Sequence, residues 1–182
     1  MLHDRLEQAG VSNLTTESFP LRRWTAHEWG LDIVSGPTAG KVQTAAYIPY
    51  SGLLPSGAAT GELVHVAASD VVAPGSLRGK VALFDVAIPP FTNGLFELLG
   101  SKLIPSAVYD PHKQVNSSAP YLRAWAGDFT TRLLQLQGGN PAAVIGILPL
   151  DDGDAAGSYF PYDGQIRSVP GVYVARNRAD LA

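Results

Sequence analysis

The sequence predicts an α/β domain, rich in β-structure, with one principal helix. Two near-continuous apolar runs carry the β part: "KVALFDV" at residues 80–86 and "AVIGIL" at 143–148. Their length and branched side chains suit strands buried on both faces. The helix is read from Leu122, Trp125, Ala126, Phe129, Leu133 and Leu136, which recur at three- and four-residue steps along one face. Nineteen Gly and fourteen Pro in 182 residues exceed average usage and argue for a loop-rich body around these elements.

Composition narrows the function classes. With 46% hydrophobic residues the chain can bury a sizeable core, and its length suits one domain, or one domain with an appendage. The net charge of −3 is small and the 13 Lys and Arg are scattered, so no nucleic-acid or polybasic membrane footprint is present. No apolar run is long enough to span a bilayer. The absence of Cys excludes disulfides, thiolate metal sites and Cys nucleophiles. The first ten residues, "MLHDRLEQAG", are charged and hold no apolar signal core.

The elements follow in order. Leu2, Leu6 and Ala9 share one helical face, and Gly10 is a natural stop, although so short a helix is unstable alone. "LTTESFPL" predicts a strand that Pro20 confines to a sheet edge or strand end. "EWGLDIV" predicts a second strand, closed by the turn "SGPTAG". "VQTAAYIPYSG" and "GELVHVA" predict two more, joined by a Gly/Pro-rich loop. Residues 87–120 form a long excursion fenced by Pro89, Pro90, Pro105, Pro111 and Pro120, longer than a connector needs. The principal helix should end at Gly138 and Gly139, since Asn140-Pro141 blocks continuation. After "AVIGIL", "DDGDAAGSYFPYDG" reads as a loop, "VPGVYVA" as the last strand and "NRADLA" as the start of a helix.

Four phrases in sequence carry a resemblance. "GELV" at 61–64 precedes "GKVALF" at 79–84; the helix then leads to "AVIGI" at 143–147 and to "VPGVYV" at 169–174. This order over residues 41–182 resembles the protease-associated domain, an accessory module of peptidases and sorting receptors. The resemblance implies an open barrel or sandwich with one principal helix. "LHDRLEQAGVSNLTTESFPLRRW" with "WGLDIV" resembles the opening of zinc exopeptidases of the glutamate carboxypeptidase and bacterial aminopeptidase type, in which such a domain is inserted just after that opening. Residues 1–38 are then a fragment of a peptidase domain and 39–182 the protease-associated domain. The chain departs from the pattern at "AIPPFTNG", where the excursion replaces a short Arg- and Gly-containing loop.

The motifs of chemistry are incomplete. The H-x-D and paired Glu of those exopeptidases do not occur. His27-Glu28 begins like H-E-x-x-H, but residue 31 is Leu. His65 reads as an ordinary strand residue. Asp110-Pro-His112 is a candidate metal pair on a proline-rich loop. Asp151, Asp152 and Asp154 lack the downstream Glu of a calcium loop. Neither G-x-S-x-G nor a phosphate-binding Gly loop is present. The aromatics Tyr159, Phe160 and Tyr162 suit either a small core or a contact surface.

The expected function is therefore non-catalytic: a module shaping substrate access, substrate contact or oligomerisation of a zinc exopeptidase. The resemblance implies no cofactor in this chain and zinc in the catalytic domain. It also implies that domain as partner, with peptide substrate and self-association as further contacts, and a secreted or cell-envelope parent. Pro90, Phe91, Asn93 and Phe96 are the candidate substrate or interface residues, because exposed aromatics in an irregular loop anchor contacts. The rival readings are a receptor-type ligand- or peptide-binding module and a stand-alone hydrolase using Asp110 and His112 with a loop Asp.

Overall fold

The computed structural model describes residues 2–21, 23–54, 57–88, 91–95, 98, 112, 116–118, 129–161 and 163–177, with the backbone alone for Phe129 and Thr130. Leu122, Trp125, Ala126, the side chain of Phe129 and residues 178–182 lie outside this description.

A five-stranded sheet organises the chain. Its strands are β3 (Ala46–Tyr47), β4 (Glu62–His65), β5 (Lys80–Asp85), β6 (Ala143–Leu148) and β7 (Gly171–Ala175), in the spatial order β3-β7-β6-β5-β4. The four strands from β4 to β7 are parallel, and β3 joins β7 antiparallel. Two further strands, β1 (Leu31–Ile33) and β2 (Gly40–Val42), form a separate antiparallel hairpin. The architecture is thus mixed α/β with two sheets and few helices, and neither sheet closes into a barrel among the described residues.

Alternation along the strands builds two apolar faces. Ala82 and Phe84 of β5, Val144 and Leu148 of β6, and Tyr173 and Ala175 of β7 point to the first. Leu133 and Leu136 of helix α2 (Phe129–Gly138) cover it, together with Leu150, Ala155 and Phe160 from the β6–β7 connection. That connection contains the single-turn helix α3 (Asp152–Ala155), where the sequence predicted only a loop. Gly146 lies at the centre of this face. A Cβ there would stand 2.7 Å from two ring atoms of Tyr173 and 3.1 Å from the Phe84 ring, so only Gly admits both rings.

The second face carries Val81 and Leu83, Ile145 and Ile147, and Val172 and Val174. The hairpin packs on it. Leu31 is opposite Val42 and Ile33 opposite Gly40, so Leu31, Ile33 and Val42 share the side turned to the sheet. The hairpin crosses the boundary expected between residues 38 and 39.

Helix α2 ends where its sequence requires, by a different residue. Asn140 takes the left-handed conformation (φ 56°), and Pro141 follows. Gly139 is needed for close approach instead: a Cβ would meet Val72 at 2.7 Å and Leu77 at 2.8 Å. The carbonyls of Gly138 and Gly139 accept from Gly75 N–H at 3.0 Å and Leu77 N–H at 2.9 Å, which satisfies helix-end acceptors. Arg132 reaches out from the helix to the Val66 carbonyl at 3.1 Å and the Asp70 carbonyl at 3.2 Å.

The strand predicted at "LTTESFPL" is not formed; these residues are irregular and mostly exposed. Pro20 offers no N–H, and no neighbouring strand is present among the described residues to take the other backbone groups. Helix α1 (Leu2–Gln8) forms as predicted and has no buried residue.

Candidate functional site: a cleft on the open face of the sheet

A wide cleft of about 3270 Å³ runs over the second face. Residues 23–35 form one wall, and Leu63, Ile147 and Val172 of the sheet also line it; Val81, Leu83 and Ile145, along the same lining, are buried beneath the hairpin. The cleft exists because the short hairpin cannot cover all five strands. Small-molecule sites are roughly 300–1,000 Å³. This concavity is several times larger and suits a macromolecular surface. Six large apolar side chains exposed to water line it: Trp29, Val34, Leu53, Leu54, Leu63 and Ile166. Exposed apolar side chains gathered in one place mark interaction sites.

An aromatic group borders the cleft. The Trp24 and Tyr47 rings lie 5.3 Å apart, Trp29 meets Tyr47 edge-on at 4.8 Å, and Tyr50 lies 5.9 Å from Trp24. Tyr159 reaches Tyr47 at 6.1 Å. Trp24 donates its indole N–H to the Ser51 carbonyl at 3.0 Å, which pins the wall to the segment after β3. Trp29 is half exposed, so the group keeps a face toward solvent.

At the opposite, C-terminal ends of the strands, His65 Nε2 and Asp85 Oδ2 are 2.8 Å apart. The parallel register explains this: His65 pairs with Leu83, so Asp85 lies one same-face step beyond it. In open parallel sheets this is the end where ligands bind. The two side chains are 49% and 61% exposed, so water screens the pair and it adds little stability. Chemically, Asp85 can orient the imidazole through this contact. Asp151 is shared at this end by Arg176 at 3.7 Å and Asn177 at 3.5 Å. Among the described residues no three of His, Cys, Asp and Glu come together, so a three-ligand zinc set is not found there.

Beneath the aromatic group lies a buried ion pair. Arg167 is almost wholly enclosed and its guanidinium meets the Asp163 carboxylate through both terminal nitrogens. It also donates to the Gln165 carbonyl at 3.0 Å, while Nε has no partner among the described residues. Its backbone N–H donates to the Tyr50 carbonyl at 2.7 Å. Beside it, Tyr173 is fully buried and donates its hydroxyl to the Phe160 carbonyl at 3.2 Å. Burial pushes this phenol well above its ordinary range; the Arg167 charge pulls the other way and Asp163 adds a smaller push.

That environment has a consequence in alkali. The unfolded chain releases the Tyr173 proton near pH 10, whereas the native state keeps it. The native state then binds more protons, so stability is complete below about pH 10 and falls as pH rises beyond it. We expect a slope of up to ~1.4 kcal/mol per pH unit in urea unfolding above about pH 10, and its absence in Tyr173→Phe. Equal slopes in the two proteins would show that the native phenol titrates freely.

The residues singled out by sequence fall elsewhere. Phe91 is partly exposed, and Asn93 donates its side-chain amide to the Asn116 carbonyl at 3.1 Å. Neither lines the cleft. Pro90, Phe96, Asp110 and Tyr162 lie outside the described residues. His112 occupies an exposed turn, and Asp151, Asp152 and Asp154 surround the single-turn α3. His27 and His65 do line the cleft. Arg167, Asp163 and the aromatic group drew no notice in sequence as a unit. The only sequence cue to the ion pair was opposite charge four residues apart, outside any helical pattern.

No known protein family, curated protein or solved structure matches the chain.

Proposed function

We propose that the chain is a non-catalytic accessory module of the protease-associated type, acting by contact with a peptidase, its substrate or a further subunit. One observation carries the reading. The four phrases on which the resemblance rests occupy β4, β5, β6 and β7, four neighbouring parallel strands in that same order. The cleft adds support, since its size and exposed apolar lining suit a macromolecular partner better than a small substrate. In this reading the neighbouring peptidase domain supplies zinc and the metal-activated water. Phe91 and Asn93, with Pro90 and Phe96, belong to the excursion that meets that domain or its peptide.

The test is metal content and peptidase activity of the purified chain. We expect no stoichiometric zinc and no hydrolysis of aminoacyl or carboxy-terminal peptide substrates. About one zinc per chain, held by protein side chains, overturns the proposal. Hydrolysis that disappears in His65→Ala would instead assign catalysis to the His65–Asp85 pair.

A further inference from the structure

We infer that the outer edge of β4 takes up an extended peptide as a sixth strand of the sheet. The ladder shows which backbone groups are free. Val66 N–H donates to the Leu83 carbonyl at 2.8 Å, and His65 is the residue opposite Leu83. In a parallel pair this turns the backbone groups of Val64 and Val66 toward β5 and those of Leu63 and His65 away from it. Strand β4 is the last of the sheet, and the outward N–H and C=O groups of Leu63 and His65 meet no partner among the described residues. Both residues are exposed to water.

The spacing of these groups fixes what fits them. Donor and acceptor recur at every second residue, about 6.5 Å apart, and that pattern matches the backbone of another strand. An antiparallel peptide sets two of its residues opposite Leu63 and His65, and each exchanges two hydrogen bonds. Edges closed to such pairing carry Pro, Lys or a bulge. Glu62-Leu63-Val64-His65 has neither Pro nor Lys, and its register on β5 is unbroken. The opposite edge differs: β3 has two residues and runs into Ile48-Pro49, both buried. The open stretch also has a defined end. Ala67, the next outward-facing residue, donates its N–H to Asp70 Oδ2 at 2.8 Å, and Arg132 donates to the Val66 and Ala67 carbonyls. These contacts hold β4 in place before a ligand arrives, so little ordering is left to oppose binding. Peptide side chains on the cleft side lie beside Leu63, which is 40% exposed, and beside His65. An apolar, β-branched residue suits the first position.

The inference rests on the accessory-module reading and deepens it: the added strand is a segment of the peptidase's substrate. The test reads peptide capture alone, so its failure leaves the zinc and peptidase assay unaffected. Fluorescein-labelled Lys-Val-Thr-Val-Thr-Val-Lys should bind the full chain and approach saturation by about 1 mM in fluorescence anisotropy. The same peptide N-methylated at its three central residues loses donors on both of its edges and should not bind. Leu63→Pro should weaken binding about tenfold or more, since an outward donor is lost and the ring obstructs the added strand. Its circular dichroism spectrum should be unchanged, because that N–H points away from β5. Leu63→Ala keeps the N–H and should stay within about fivefold of the wild-type affinity. The peptide pair decides the matter on the wild-type chain even where a variant unfolds. No binding at about 1 mM, undiminished binding of the N-methylated peptide, or equal losses in Leu63→Pro and Leu63→Ala would each overturn strand addition. So would wild-type dimers in sedimentation that Leu63→Pro dissociates, which would assign the edge to a second copy.

Discussion

Replacing Asp163 by Ala should cost about 3–5 kcal/mol of folding stability, the range for removing one partner of a buried ion pair. The cost comes mainly from what remains. The Arg167 side chain is 3% exposed, and its Nε already lacks an acceptor among the described residues. Without the carboxylate, a full positive charge stays enclosed, and among the described residues the guanidinium keeps only the Gln165 backbone carbonyl as acceptor. The change also removes the turn in which Asp163 accepts from Gln165 N–H at 3.0 Å. Urea unfolding of the purified variant measures the loss. The double substitution Asp163→Leu with Arg167→Met should recover much of it, because no buried charge is then left unpaired. A single-variant loss below about 1 kcal/mol would mean that water reaches the guanidinium.

Phe84→Ala should be of similar size, about 3–5 kcal/mol. Phe84 is 1% exposed on a central strand, between β4 and β6, with its ring over the notch at Gly146. Truncation leaves a void beneath the layer formed by Leu133 and Leu136. Total stabilities of single domains are about 5–15 kcal/mol, so the loss would take a large share of the whole. A shift in the urea midpoint with an unchanged slope is the expected signature. A cost under about 1 kcal/mol would show that α2 settles into the void.

The strands were legible in the sequence to the degree that burial fixed them. "KVALFDV" and "AVIGIL" are apolar at successive positions because each faces helices on one side and the hairpin or cleft on the other. The end of α2 was legible from Asn140-Pro141, though the sequence pointed to the glycines as the cap and the left-handed residue is Asn140. "LTTESFPL" misled because its composition suits a strand, yet a strand forms only where a neighbour accepts its hydrogen bonds. The strand predicted at "VQTAAYIPYSG" shrinks to β3, Ala46–Tyr47, because only those two residues pair with β7. The cleft was illegible for a different reason. Trp24, Trp29, Tyr47, Tyr50 and Tyr159 come from three separate stretches, and His65 meets Asp85 only through the register of β4 on β5. Local patterns report periodicity along the chain, whereas such sites depend on which strands become neighbours.

The placement of β3 constrains the order in which the molecule can be assembled. Each parallel pair joins strands that are also consecutive along the chain, so β4, β5, β6 and β7 can be added one after another. Strand β3 alone reaches across that whole series to a partner formed late. Closing so long a loop costs more entropy than any single step within the parallel series. During ribosomal synthesis Ala46, Ile48 and Pro49, all buried in the finished protein, therefore wait without their partner until β7 has emerged. The β3–β7 ladder is a clasp: it secures the sheet last, and until then an early apolar stretch of the chain is open to the wrong company.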